Sequence, residues 1–164
     1  MSTANRFNFH TTNVRQTQSL AKKIAKLLLP GDVLLLQGPL GAGKTTFTQG
    51  LAKGMNIKSE VTSPTFILLA QHEPSSNNLA LFHADLYRLT DPMEVMELHL
   101  EEQASDGVLI VEWPDRAPEM LPKDHLLISI ALQKIDHNAR TFTFVSAGER
   151  AREIVDGLQS HYEG

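Results

Sequence analysis

Residues 33–46 read Val33-Leu34-Leu35-Leu36-Gln37-Gly38-Pro39-Leu40-Gly41-Ala42-Gly43-Lys44-Thr45-Thr46. Gly38, Gly43, Lys44 and Thr45 fill the fixed places of the phosphate-binding pattern G-x-x-x-x-G-K-[ST]. The glycines, with Gly41 adding to them, let the chain curl so that successive N–H groups point inward at a polyphosphate. Lys44 can reach the β- and γ-phosphates, and the Thr45 hydroxyl can ligate Mg²⁺. The first turn of a following helix adds unpaired N–H groups and the positive end of its dipole.

Flanking residues support that reading. Val33 to Leu36 is an apolar run long enough for a buried strand. Thr46 to Lys53 can form a helix, with Phe47 and Leu51 on one face and Gly54 as a stop. Strand, glycine loop and helix stand in the order a phosphate loop requires. The chain is therefore expected to bind a purine nucleoside triphosphate with magnesium, and to be α/β, a P-loop NTPase-like three-layer fold with a mixed central sheet flanked by helices.

Bulk properties narrow the class. One domain over 1–164 is the simplest reading, large enough to bury a core. With 41% hydrophobic and 21% charged residues the composition is that of a water-soluble globular protein. A net charge of −4 gives no sign of an extended nucleic-acid footprint. The absence of cysteine excludes disulfides and thiolate metal sites and fits a reducing cytosol. Met1 to His10 lacks the apolar core of a signal peptide, and Leu27 to Leu36, broken by Pro30-Gly31-Asp32, is too short for a bilayer. A cytoplasmic protein with no membrane contact is expected.

Further elements follow from periodicity and punctuation. Val14 to Leu29 reads as an amphipathic helix, with Leu20, Ile24, Leu27 and Leu28 on one side. Phe66–Ala70 and Leu79–Ala84 are strand candidates around the polar stretch 73–78. Pro92 to Glu102 reads as one helix, capped by Asp91 with Pro92 at its first position. Val108 to Val111 is a central strand expected to run parallel to the first. Leu126–Leu132 and Thr141–Val145 form a hairpin around Asp136-His137-Asn138, and a last helix runs from Glu149 to Leu158.

A phosphate loop needs a carboxylate at the tip of a neighbouring strand to hold the magnesium shell. Two stand at such tips. Glu112, after Val108-Leu109-Ile110-Val111 and before Trp113-Pro114, is preferred for the metal. Asp85, after Leu79 to Ala84, suits orientation or activation of a water, although it could instead cap the next segment or pair with Arg88. Thr65, in Ser63-Pro64-Thr65-Phe66, is placed to sense a γ-phosphate, as switch threonines do. His83 reads as structural. Trp113 could stack on a base, meet a partner or fill the core, the last being the ordinary use. Arg88 and Arg116 could stabilise charge, but neither is obviously placed as a finger.

Taken together, Gly-Pro-Leu-Gly-Ala-Gly-Lys-Thr-Thr at 38–46, Val-Thr-Ser-Pro-Thr-Phe at 61–66, His-Ala-Asp-Leu-Tyr-Arg-Leu at 83–89 and Val-Glu-Trp-Pro at 111–114 resemble the bacterial TsaE (YjeE) family in order and spacing. The resemblance runs from about Val14 to Gly148. It implies a small cytoplasmic ATPase needed for threonylcarbamoyladenosine in tRNAs that read codons beginning with adenine. It further implies work alongside TsaD and TsaB, tRNA contact only through that complex, and no carbamoyl transfer by this chain itself. On the matching residues it implies ATP or ADP contacts from Gly38, Gly41, Ala42, Gly43, Lys44, Thr45, Thr46, Thr65 and Trp113. Mg²⁺ would be held through Thr45 and Glu112, with Asp85, Lys44 and Glu112 serving hydrolysis. With no obvious finger, hydrolysis is expected to be slow alone and faster with partners. Two departures stand out: Pro39 where many relatives carry Asp, and Met96-Glu97-Leu98-His99-Leu100 where many carry a glycine. Other classes fit less well: the acidic 92–102 segment disfavours a small-molecule kinase, and no Asn-Lys-x-Asp guanine-reading motif is present.

Overall fold

The computed structural model describes residues 5–62, 64, 68–75 and 79–163. Its centre is a seven-stranded sheet in the order β1-β7-β6-β2-β5-β4-β3. The strands are β1 (Arg6–Thr11), β2 (Val33–Gln37), β3 (Leu69–His72), β4 (Ala80–Asp85), β5 (Gly107–Glu112), β6 (His125–Leu132) and β7 (Arg140–Ala147). β4, β5, β2 and β6 run parallel, whereas β3, β7 and β1 join antiparallel at the two sides. The mixed sheet and the parallel pairing of the first and Val108–Val111 strands are as expected. β2 and β5 read as unbroken apolar runs because both faces of a central parallel strand are covered.

Helices α1 (Val14–Ala25), α2 (Lys44–Gly54) and α5 (Glu149–Glu163) cover one face. There Leu20, Ile24, Phe47, Leu51 and Ile154 meet Leu34, Leu36, Val108, Ile110 and Phe144. On the other face α3 (Glu94–Glu97), α4 (Leu100–Gln103) and two 3-10 turns between residues 114 and 120 enclose Val33, Leu35, Phe82, Leu109 and Val111. No helix of the described residues is long and apolar enough to cross a membrane.

Several boundaries differ from the sequence expectations for identifiable reasons. α1 starts where predicted, with the Asn13 side chain accepting from Gln16 N–H, but stops at Ala25 rather than Leu29. Short turns to Leu27 and Leu28 follow, and the Leu29 N–H donates to the Asp32 carboxylate, so the chain is already turning into β2. The helix after the phosphate loop begins at Lys44, two residues earlier than expected, and the final helix continues past Leu158 to Glu163. The first strand of the predicted 66–70/79–84 pair lies further along, at Leu69–His72; an edge strand tolerates the polar Gln71 and His72. Phe66 lies outside the described residues.

The single helix expected over 92–102 is two four-residue helices broken at His99, whose φ is +48°. Val95 and Leu100 are both buried against the second face of the sheet. Five positions apart, they would diverge by roughly 140° on a continuous α-helix. The left-handed residue turns both inward. Asp91 still accepts the Met93 N–H, as a cap would. β1 is an element the sequence reading did not contain; its alternation of Phe7 and Phe9, packed on the core beside Tyr162, is the period-two signal that marks it.

Candidate active site

The carboxyl ends of the parallel strands β2, β4 and β5 bring the predicted residues together. Parallel pairing sets Asp85 opposite Glu112, and Glu112 opposite Leu36, one residue short of the loop-bearing tip of β2. A cavity of about 440 Å³ opens there, lined by Gly41, Ala42, Gly43, Lys44, Thr45, Thr46, Asp85, Glu112 and Trp113, with Leu40, Pro64, Leu68, Tyr87 and Arg88. Nine residues proposed from the sequence thus share one wall. Gly38 is not among the lining residues, though its carbonyl accepts from Lys44, and Thr65 falls outside the described residues, although its neighbour Pro64 lines the cavity.

The loop has the geometry its glycines permit. Gly41 and Gly43 adopt φ of +78° and +105°, which side-chain-bearing residues rarely enter. At Gly38 the constraint is space, since a Cβ would come within 2.7 Å of the Ile130 carbonyl oxygen. α2 starts with no side chain capping its first-turn N–H groups, which leaves them available to an anion.

Arg140, which the sequence reading did not single out, braces this loop from the start of β7, two strands away from β2. Its Nε donates to the Ala42 carbonyl at 2.8 Å and its Nη2 to that of Gly41 at 3.4 Å. In a trans peptide the C=O and N–H point in opposite directions. Holding the Ala42 oxygen on Arg140 therefore turns the Gly43 N–H the other way. Ala42 and Arg140 are 98 residues apart, and no local pattern announces their contact. Behind the loop a second recess, lined by Thr12, Asn13, Arg15, Thr46, Asn138 and Arg140, shares Ala42 and Gly43 with the first.

Lys44 is buried, and its ammonium donates to the carbonyls of Gly38 at 2.6 Å and Pro39 at 3.0 Å. It also lies 4.1 Å from the centre of the Trp113 ring. Burial pulls its pKa below the ordinary lysine value, while Glu112, Asp85 and Asp115 oppose that shift. Trp113 fills the core only in part, packing against the apolar cluster on the second face of the sheet while also lining the cavity. It is half-buried at φ +58°, packed on Tyr87 with centroids 4.9 Å apart. Arg116 sits over these rings, 5.4 Å from Tyr87 and 5.8 Å from Trp113. The Asp85 carboxylate accepts the Tyr87 N–H at 2.9 Å, so it caps the turn after β4 while lining the cavity.

Glu112 is buried, and one of its oxygens lies 2.5 Å from Nε2 of the fully buried His83. A hydroxyl and two carboxylates around one anion-receptive cavity form an oxygen-only donor set. That suits Mg²⁺, which takes few protein ligands and completes its shell with phosphate and water. Among the described residues there is no cluster of three or more His, Cys, Asp or Glu that could hold a metal ion. The arrangement can bind a polyphosphate, neutralise it, and place an acidic oxygen beside its terminal group.

The profile of the family described as "Threonylcarbamoyl adenosine biosynthesis protein TsaE" matches residues 11–142. A tRNA threonylcarbamoyladenosine biosynthesis protein TsaE from Bacillus subtilis is 38% identical over 154 residues, covering 93% of this chain and 94% of the relative. Its counterpart from Streptomyces coelicolor is 40% identical over 136 residues, covering 81% and 92%. A crystal structure of YdiB from Bacillus subtilis superposes with a TM-score of 0.79 at 33% identity, covering 98% of this chain and 99% of that one. With the phosphate loop, both strand-tip carboxylates and these similarities along most of its length, the chain belongs to the TsaE family.

Proposed function

We propose that the chain is a Mg²⁺-dependent ATPase that serves as an accessory subunit in forming threonylcarbamoyladenosine on tRNAs reading codons that begin with adenine, acting with TsaD and TsaB. One observation carries the catalytic part: an uncapped helix start, the Lys44 ammonium and two carboxylates in register share a single cavity. The biological part rests on family membership and on the names of the relatives.

In this reading the amides at the start of α2 bind the phosphates, and Lys44 exchanges the Gly38 and Pro39 carbonyls for phosphate oxygens. Thr45 and Glu112 would hold Mg²⁺, which when bound neutralises charge on the β- and γ-phosphate oxygens. Asp85 orients the attacking water and accepts its proton as the oxygen–γ-phosphorus bond forms and the bond from the γ-phosphorus to the bridging oxygen breaks, leaving ADP and inorganic phosphate. The γ-phosphate lies with the carboxylates, so the nucleoside extends the other way along the loop, into the recess of Thr12, Asn13 and Arg140. Arg88 lines the cavity and Arg116 lies over the aromatic rings; with neither obviously placed as a finger, slow hydrolysis is expected of the chain alone.

The test is direct. ATP binding and turnover are measured with and without Mg²⁺, against GTP, and with and without TsaD and TsaB. Lys44→Ala should lose nucleotide binding. Asp85→Asn should keep binding but lose turnover by about 10²-fold or more. No binding of any nucleotide by folded protein would end the reading, and equal rates with and without partners would remove the accessory role.

A further inference from the structure

His83 has no assigned task in the mechanism above, yet it is among the most constrained side chains in the molecule. It is fully buried on β4, two residues before Asp85, and its Nε2 lies 2.5 Å from Oε2 of Glu112 on the adjacent strand. Its other ring nitrogen, Nδ1, is buried with no hydrogen-bond partner among the described residues.

These facts select a tautomer. A carboxylate offers only lone pairs, so the contact needs the proton on Nε2. The opposite tautomer would place two lone pairs face to face across 2.5 Å and leave a buried N–H at Nδ1 unpaired, a costly arrangement. With Nε2–H, the unpaired atom is an acceptor.

We propose that His83 is the positioning residue for Glu112: its Nε2–H holds one carboxylate oxygen, fixing the side-chain rotamer so that the other faces the cavity. Glu112 caps an otherwise apolar strand and lies almost wholly beneath the surface. Water therefore cannot orient it as it would an exposed acid, and the task falls to a neighbouring strand. Partners of this kind, one bond removed from a metal-linked carboxylate, typically govern 10–100-fold in metal affinity or activity. The role rests on the ATPase reading. The contact that underlies it does not.

The contact is tested on the unsubstituted protein by long-range ¹H–¹⁵N correlation of the imidazole nitrogens, with His83 assigned from its absence in His83→Gln. A protonated Nε2 and bare Nδ1 are expected; a protonated Nδ1 would overturn the proposal. The role is tested by the affinity of a non-hydrolysable ATP analogue in Mg²⁺ and in EDTA. His83→Leu should leave the EDTA affinity within about twofold and cut the gain from Mg²⁺ by 10–100-fold. His83→Gln, whose amide can reach the Nε2 position, should recover most of that gain. Thermal melts establish that both variants are folded. A Leu variant that keeps the full Mg²⁺ gain, or a folded Gln variant no better than Leu, would overturn the assignment while the ATPase reading stands. Failure of the unsubstituted protein to bind the analogue at all would instead strike the ATPase reading, and this role with it.

Discussion

Lys44 is held between opposing demands. Burial disfavours its charge, three acidic groups favour it, and the two loop carbonyls that receive it are bonds any incoming phosphate must replace. In the proposed function, binding is thus an exchange of partners at Lys44 within a preformed cavity, which limits the reorganisation needed. His99 meets a different demand at the same scale. It occupies the left-handed region at φ +48° so that Val95 and Leu100 can both be buried, and its exposed ring gains only a 4.0 Å surface contact with Glu102. A left-handed non-glycine residue costs roughly 1–2 kcal/mol, of which glycine's greater unfolded entropy returns about half. His99→Gly should therefore raise stability by about 0.5–1 kcal/mol, read as a higher urea midpoint at unchanged m-value. A lower midpoint would mean that the histidine makes an interaction beyond the weak pairing described.

Among the elements, α2 is the one whose placement matters most, because its first turn is the proposed phosphate receptor. Its seat against α1 depends on close approach. A Cβ at Gly50 would stand 2.7 Å from the Gln18 Cα and 2.8 Å from its carbonyl oxygen, and one at Gly54 would meet Ala25 at 2.7 Å. Replacing a mid-helix glycine by alanine ordinarily favours the helix by up to about 1 kcal/mol. Here the new methyl would press on backbone, and overpacking of that kind costs about 1–3 kcal/mol. The second effect wins: Gly50→Ala should lower stability by about 1–2 kcal/mol, and nucleotide affinity should weaken as the start of α2 is displaced. Urea unfolding and titration with an ATP analogue would check both, and a more stable variant would refute the packing argument.

For the molecule as a whole, the end of the sheet remote from the cavity is tied by Arg150 and Asp32. The Arg150 guanidinium donates to both Asp32 oxygens at 2.9 Å and also to the Leu27 carbonyl, joining α5 to the entry of β2. Asp32 is buried, so the pair is screened less than a surface bridge, and hydrogen bonding to the nearby Asp32 raises the Arg150 pKa. Arg150→Met leaves a buried carboxylate whose remaining partner among the described residues is the Leu29 N–H and should cost about 2–4 kcal/mol. The site lies about 20 Å away along β2 at strand rise. Nucleotide affinity of the folded variant should match the parent, and a tenfold loss would show that the two ends are coupled.

The scales also differ in how openly they were written in the chain. The phosphate loop, its strand and its helix could be read directly, because each residue's role there depends on neighbours within a few positions. The strand tips at Asp85 and Glu112 were recognisable for the same reason, since an apolar run ending in an acid is a local pattern. Helix breakage at His99 was not, because it answers to a distant layer that two side chains must reach at once.

What sequence alone determined, then, is the glycine loop between strand and helix and the acids at the neighbouring strand tips: contiguous residues whose backbone freedom and chemistry are intrinsic. Tertiary structure decided which of them meet. Parallel register set Asp85 beside Glu112 and laid the His83 ring on Glu112 across 29 residues, while the antiparallel pairing of β7 with β6 brought Arg140 to the loop across 98. Those pairings follow from burying both faces of one sheet, and burial is a property of the packed chain rather than of any segment within it.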